Sequence, residues 1–319
     1  NVDSLNIGQH GTKNGGDCDS VGTWVPTDAG PEGGTCTLTS DIQITGTGYG
    51  IVLQSSRVTL DGDGHSITGT STKSTSGDTH VGVYIGSQKH TMVIKDLTID
   101  TFAYGIKSYY TNGITISGVT MQNIGKIGIN LDSVDSMLIE NNIISAPAIS
   151  VAGSFQGMQL SGVNQHVGVG DGSCVGTGQY VSPGIAQNAP MVIKNNQITN
   201  GNLHIGTGTN WCLEGNTITK GTFNIGLSYD YSTVPTNHMI KNNQATDGKA
   251  FVGFYILGSG NTLDSNISNN NNDGFEFSGH SQNNLIINNV ANDNTEYGFE
   301  FDAESLGHTL TGNTVTGNG

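Results

Sequence analysis

The chain is poor in cations. Arg57 is its only arginine, and Lys and Arg together number 11 against 26 Asp and Glu in 319 residues, a formal charge of -15. Nucleic-acid binding is carried by cations that neutralise phosphates, and an acidic membrane surface repels an acidic protein, so both partners are excluded. Charged residues make up only 12% and proline only 6 positions, against 48 glycines. That composition fits neither a typical helical protein nor a disordered polyelectrolyte and points to a repetitive, turn-rich chain. No apolar run reaches membrane-spanning length, and the polar stretch Asn1 to His10 is expected of a processed mature chain rather than of a signal peptide. Cysteine is limited to 4 residues with no CxxC pair. Disulfides Cys18 with Cys36 and Cys174 with Cys212 are therefore expected ahead of a metal site, and with them a secreted or cell-surface location.

What is present is a repeat. YGIVL (49–53) returns as VGVYI (81–85), YGIKS (104–108), IGINL (127–131), VGFYI (252–256), DGFEF (273–277) and YGFEF (297–301). Gly82, Gly105 and Gly128 are 23 residues apart, and Gly253, Gly274 and Gly298 follow at steps of 21 and 24. A fixed period of this size is the signature of a solenoid. Each unit continues with a second strand and an Asn-bearing turn, as in MLIENNIIS (137–145), MVIKNNQIT (191–199) and HMIKNNQAT (238–246). A buried Asn at one corner of every coil can bond the backbone and its stacked neighbour, and tolerates the left-handed conformation of the turn. Asn142, Asn196, Asn243 and Asn289 are thus expected in one internal stack.

Apolar and polar residues alternate within each strand, as in a sheet buried on its inner face only. The fold class expected is all-β: a single-domain, right-handed parallel β-helix of about ten coils, stacked at roughly 4.8 Å. Residues 1–40 are expected to cap its first coil, residues 41–319 to form the solenoid, and 161–189 to leave it as a long loop insertion. No cap is recognisable after GNTVTGNG, so the native protein continues there or this end packs on a partner.

The run LTSDIQI through GIVLQSSRVTLDGDGHSITGT (38–70), followed by NN-bearing coils, resembles the class of right-handed β-helix proteins that includes pectate lyases, polygalacturonases, mannuronan C5-epimerases and NosD-like periplasmic proteins. The resemblance implies a polysaccharide-active lyase, epimerase or glycoside hydrolase. YGFEFDAE (297–304) is similar to the YGFDPHE segment of the epimerases: Tyr297 falls on the family Tyr, Glu300 on its Asp, and Asp302 where the family has His. These three are secondary site candidates.

Aligning the coils places one outward side chain per turn at the centre of the same strand, in the order Val52, Tyr84, Lys107, Asn130, Gln159, His204, Gly226, Tyr255, Glu276 and Glu300. A glycan laid along such a strip would stack on aromatics and meet carboxylates or His for proton transfer. Catalytic candidates are His204, Tyr229, Asp230 and His238. Tyr84, Lys107, Tyr109, Asn130, Trp211, Tyr231 and Tyr255 are candidates for substrate binding. Glu276 and Glu300, one coil apart, could share a Ca²⁺ with Asp302. The competing function is a non-catalytic adhesive or structural surface protein, assembling end to end through its C-terminal coil.

Overall fold

A computed structural model describes residues 1–72, 79–146, 155–162, 191–226 and 236–319. The chain winds into a solenoid of three parallel sheets. Sheet I has eleven strands running from Leu5–Ile7 through Tyr49–Leu53, Tyr104–Tyr109 and Phe254–Ile256 to Phe299–Phe301. Sheet II has twelve, from Gly22–Pro26 to Thr309–Thr311, and sheet III eleven, from Ile42–Gln43 to Thr314–Thr316. Among the described residues every strand pairing is parallel except at the N-terminal end of sheet II, where Gly22–Pro26 runs antiparallel to Gly34–Leu38. The only helical element among the described residues is the 3₁₀ turn Asp17–Ser20. The expected solenoid of about ten coils is what forms; sheet I reaches eleven strands among the described residues because Leu5–Ile7 already pairs in parallel with Tyr49–Leu53.

The recurrent glycine has a steric cause. A Cβ on Gly105 would lie 2.5 Å from the carbonyl oxygen of Gly128, and one on Gly128 would lie 2.5 Å from that of Gly157. The same clash recurs at Gly274, 2.4 Å from the oxygen of Gly298. Successive coils approach so closely at this strand that no side chain fits.

The asparagines form the expected stack, and it is longer than the four residues named above. Asn142, Asn196, Asn216, Asn243, Asn266 and Asn289 each pass a side-chain amide N–H to the carbonyl oxygen of the next, the last to Asn313, at 2.9–3.1 Å. Each also donates to a backbone carbonyl inside the coil, as Asn243 does to Leu213 at 2.9 Å. A second ladder runs Asn271, Asn294, Asn318. The ladders satisfy buried backbone groups that the corners would otherwise strand.

Between the ladders the core is apolar and stacked in register. Phe223, Phe254, Phe275 and Phe299 lie ring on ring at 4.6–4.8 Å. The outward face of sheet II carries an electrostatic counterpart. Lys95 reaches Asp61 at 2.6 Å, Lys194 reaches Glu140 at 3.0 Å and Lys241 reaches Glu214 at 3.2 Å, all from aligned positions of neighbouring strands. Each of these acids thus faces a lysine on the next strand of that column.

The N-terminal turn is held by a disulfide between Cys18 and Cys36, both fully buried. Cys212 is also disulfide-bonded. Its expected partner Cys174, and the segment 163–189 of the expected insertion, lie outside the described residues.

Candidate functional site

The outward column of sheet I follows from strand pairing. Val52 pairs with Tyr84, Tyr84 with Lys107, Lys107 with Asn130, Asn130 with Gln159 and Gln159 with His204. His204 then pairs with Asn224, Asn224 with Tyr255, Tyr255 with Glu276 and Glu276 with Glu300. The register expected from the sequence holds at every position but one. Asn224, not Gly226, occupies the column, because Phe223 and Ile225 are the inward residues of that short strand and Gly226 follows it.

The N-terminal half of the column is aromatic. Tyr84 stacks on Tyr49 with ring centroids 4.3 Å apart, and burial beside Tyr49 and Tyr109 pushes the Tyr84 phenol up. Lys107 is only 6% exposed, with its ammonium 4.5 Å from the ring centre of Tyr104 and 5.4 Å from that of Tyr109. It is therefore a cation lodged among rings rather than a free positive tip. Asn130 and Tyr255 are half-buried on the same strip.

The C-terminal end of the column is acidic. Carboxylate oxygens of Asp273, Glu276 and Glu300 lie within 4.8 Å of one another. Asp273 is buried at 5% exposure and fixed, accepting from the Tyr297 backbone N–H at 3.0 Å and from the Asn272 amide at 2.7 Å. Burial, then the charges of Glu300, Asp302 and Asp273, push Glu276 up to about 7. Glu300 is raised as well, by burial first and by Asp273, Asp302 and Glu296 after it. On sheet II stacked acids find lysines; here acid stacks on acid, and no Lys or Arg of the described residues pairs with them. Three such oxygens could jointly hold a hard divalent cation such as Ca²⁺, which takes roughly 6–8 oxygen ligands. Asp273 was absent from the trio expected from sequence, and Asp302 stands exposed at the edge. The signal for Asp273 was available: it occupies the position before the repeat glycine, held by Tyr49, Val81, Tyr104, Ile127 and Tyr297 in other coils.

The cluster expected around the middle coils separates. Trp211 is 1% exposed and opens a strand of sheet II with its side chain inside the solenoid, so it cannot stack on a sugar. His238 follows it one coil on, also 1% exposed, and its Nδ1 accepts the Trp211 backbone N–H at 3.1 Å. Burial drives its pKa down to about 3. An imidazole sealed in the core as a backbone acceptor does not reach a substrate on sheet I, which corrects the expectation for His238. His204 keeps its outward place on sheet I. Tyr229, Asp230 and Tyr231 lie outside the described residues. Of the secondary candidates, Tyr297 is 51% exposed, Glu300 half-buried and Asp302 exposed, all on the last strand of sheet I or beside it.

A family model described as "Right handed beta helix region" matches residues 32–180 and 183–319. No curated protein matches the chain. Among solved structures, the A-module of the Azotobacter vinelandii mannuronan C-5 epimerase AlgE4 is similar at 14% identity, covering 89% of this chain and 87% of that one with a TM-score of 0.55. An alginate lyase from Paenibacillus sp. str. FPU-7 is similar at 15% identity, covering 89% of this chain and 91% of that one with a TM-score of 0.52. At these identities the likeness is one of fold.

Proposed function

The chain belongs to the right-handed beta-helix family, and from that premise we propose that it is a secreted or cell-surface enzyme that binds a polysaccharide along the outward column of sheet I and transfers protons at Asp273, Glu276 and Glu300. The observation that carries this reading is the uncompensated acid stack at the end of the strip. The fold places a lysine opposite each of three sheet II acids, yet leaves three carboxylates at the end of sheet I, within 4.8 Å of one another, without one among the described residues. Like charges so placed cost stability, and a raised carboxyl such as Glu276, in line with aromatic and amide side chains, supports a proton-transfer site.

In this reading Glu276, its carboxyl raised to about 7, is the acid, and Glu300 or Asp273 is its partner. Their spacing is shorter than the roughly 6.5–9.5 Å of inverting glycosidases and closer to the about 5–5.5 Å of retaining ones. Tyr255, one coil before Glu276, and the half-buried Asn130, Asn224 and His204 supply hydrogen bonds and stacking along the chain. The acidic end disfavours a polyuronate unless Ca²⁺ at the three carboxylates bridges it, so a neutral glycan is the favoured substrate. The epimerase and lyase of similar fold act on mannuronan and alginate by their names, which supports a polysaccharide as the class of ligand. A disulfide at Cys18 and Cys36 supports an oxidising compartment.

A second reading, a non-catalytic surface protein that stacks end to end, has one observation in its favour. Charged residues make up only 12% of the chain, which leaves largely uncharged faces rich in Ser, Thr, Asn and Gly. One experiment separates the two. The protein and Glu276→Gln are incubated with neutral and acidic polysaccharides, with and without Ca²⁺, and read by reducing ends and by the 235 nm absorbance of unsaturated uronate. Product from the native protein and none from Glu276→Gln is expected. No product from any glycan, with end-to-end assemblies in electron micrographs, sinks the enzyme reading and favours the second.

A further inference from the structure

A third ladder, distinct from the two asparagine ladders, runs inside the corner where sheet II begins. Trp211, His238, Asn261, Asn284 and His308 occupy equivalent positions of consecutive coils, each backbone N–H donating to the side chain of the next. Trp211 donates to His238 Nδ1 at 3.1 Å, His238 to Asn261 Oδ1 at 2.9 Å, Asn261 to Asn284 Oδ1 at 2.7 Å and Asn284 to His308 Nδ1 at 3.2 Å. Two imidazoles thus stand where the other ladders use asparagine.

We propose that this mixed ladder is an acid-sensitive latch: it closes the corner while both imidazoles are neutral acceptors, and protonation of either one breaks its rung.

The chemistry of the rungs requires this. A backbone N–H can only donate, so each Nδ1 must carry a lone pair, which fixes the neutral tautomer with its proton on Nε2. A proton on Nδ1 would set N–H against N–H and leave a buried amide without an acceptor. An asparagine oxygen at the same rung has no such transition. His238 is sealed between Trp211, whose ring meets it edge-on at 6.5 Å, and Asn261. The charged groups on the strands packed against it are Glu214, Lys241 and Asp264, on the outward face of sheet II. His308 lies 5.2 Å from Phe277 and 5.3 Å from Phe301, with Ser305 Oγ 2.8 Å from its Nε2. The charged groups of its neighbouring strands are Glu276, Glu300 and Asp302. None of these charges figures among the causes that lower either imidazole; burial does so in both.

The sign follows. A histidine depressed in the folded state favours folding above its ordinary pKa relative to acid, and that advantage is lost as pH falls below about 6.5. With His238 held at about 3 against an ordinary 6.5, its protonation at pH 4.5 favours the unfolded chain by on the order of 100-fold. Urea unfolding of the native protein, His238→Asn and the double variant His238→Asn/His308→Asn at pH 7.5 and 4.5 tests the proposal. The native folding equilibrium should fall between these pH values by on the order of 100-fold more than that of His238→Asn, with a further reduction of acid sensitivity in the double variant. Equal acid losses in all three overturn the latch. A second measurement needs no variant: long-range ¹H–¹⁵N spectra of the native protein should show His238 neutral, protonated on Nε2 and unchanged from pH 7.5 to 5. An Nδ1–H tautomer, or titration near 6.5, overturns it as well.

Discussion

Replacing Glu276 by Gln removes one charge from the acid stack while keeping the side chain's shape, and the two halves of the account then pull in opposite directions. The folded state holds this carboxyl at about 7 against an ordinary 4.5. A carboxylate raised on folding takes up a proton as the chain folds, so its ionisation opposes folding progressively from about pH 4.5 to pH 7 and fully above that. The 2.5-unit difference sets an upper bound of about 3.4 kcal/mol at 1.36 kcal/mol per unit. Glu276 is only partly buried, so screening by solvent reduces this to about 1–2 kcal/mol. Glu276→Gln should therefore be more stable than the native protein by that amount in urea at pH 8.5, and within about 0.5 kcal/mol of it at pH 4.5, where the native carboxyl is protonated in the fold. The same variant should lose all turnover. A variant that is no more stable at pH 8.5, or whose advantage is equal at both pH values, refutes the claim that burial and the charges of Glu300, Asp302 and Asp273 strain this group.

Other perturbations test the frame. Asn243→Ala breaks the middle of the long ladder, takes the acceptor from the Asn216 backbone and amide N–H groups and the donor from the Leu213 carbonyl, and should cost about 3 kcal/mol or more in chemical denaturation. Gly105→Ala must fit a Cβ 2.5 Å from the Gly128 oxygen and 2.6 Å from Met121 Sδ; a clear fall in melting temperature is expected, and an unchanged one would contradict the coil spacing. Replacing Cys18 and Cys36 by Ser opens a link across a sequence separation of 18 residues and should cost about 3 kcal/mol. Non-reducing peptide mapping should join Cys174 to Cys212, whose disulfide would otherwise have to lie elsewhere.

The solenoid was legible because stacking forces the same demand on every coil. Gly at the close approach and Asn at the corner recur for steric and hydrogen-bonding reasons that act locally, so their spacing reports the winding directly. Column positions on sheet I could be counted from the repeat glycine for the same reason, and the count slipped in the TFNIG coil, where Thr222 takes the place of that glycine and Gly226 follows the strand. His238 and Trp211 were misplaced because a polar ring reads as a surface group unless its coil is aligned by the second strand. Setting NHMIKNN (237–243) beside GNTLDSN (260–266), NNLIINN (283–289) and GHTLTGN (307–313) puts His238 in line with Asn261, Asn284 and His308, which marks it as a ladder residue. Asp273 stands out in the repeat, at the position before the glycine where other coils carry Tyr, Val or Ile; what the repeat does not display is that the Tyr297 backbone N–H and the Asn272 amide hold its carboxylate beside two glutamates.

The most direct test of the central claim is a crystal structure of Glu276→Gln with a bound oligosaccharide, chosen from whichever polysaccharide the native protein converts. The account predicts sugar rings along the outward column of sheet I, with one glycosidic oxygen or ring carbon within hydrogen-bonding reach of residue 276 and the Asp273 and Glu300 carboxylates beside it. Sugar bound on sheet II or sheet III, or on sheet I but remote from these three residues, would contradict it.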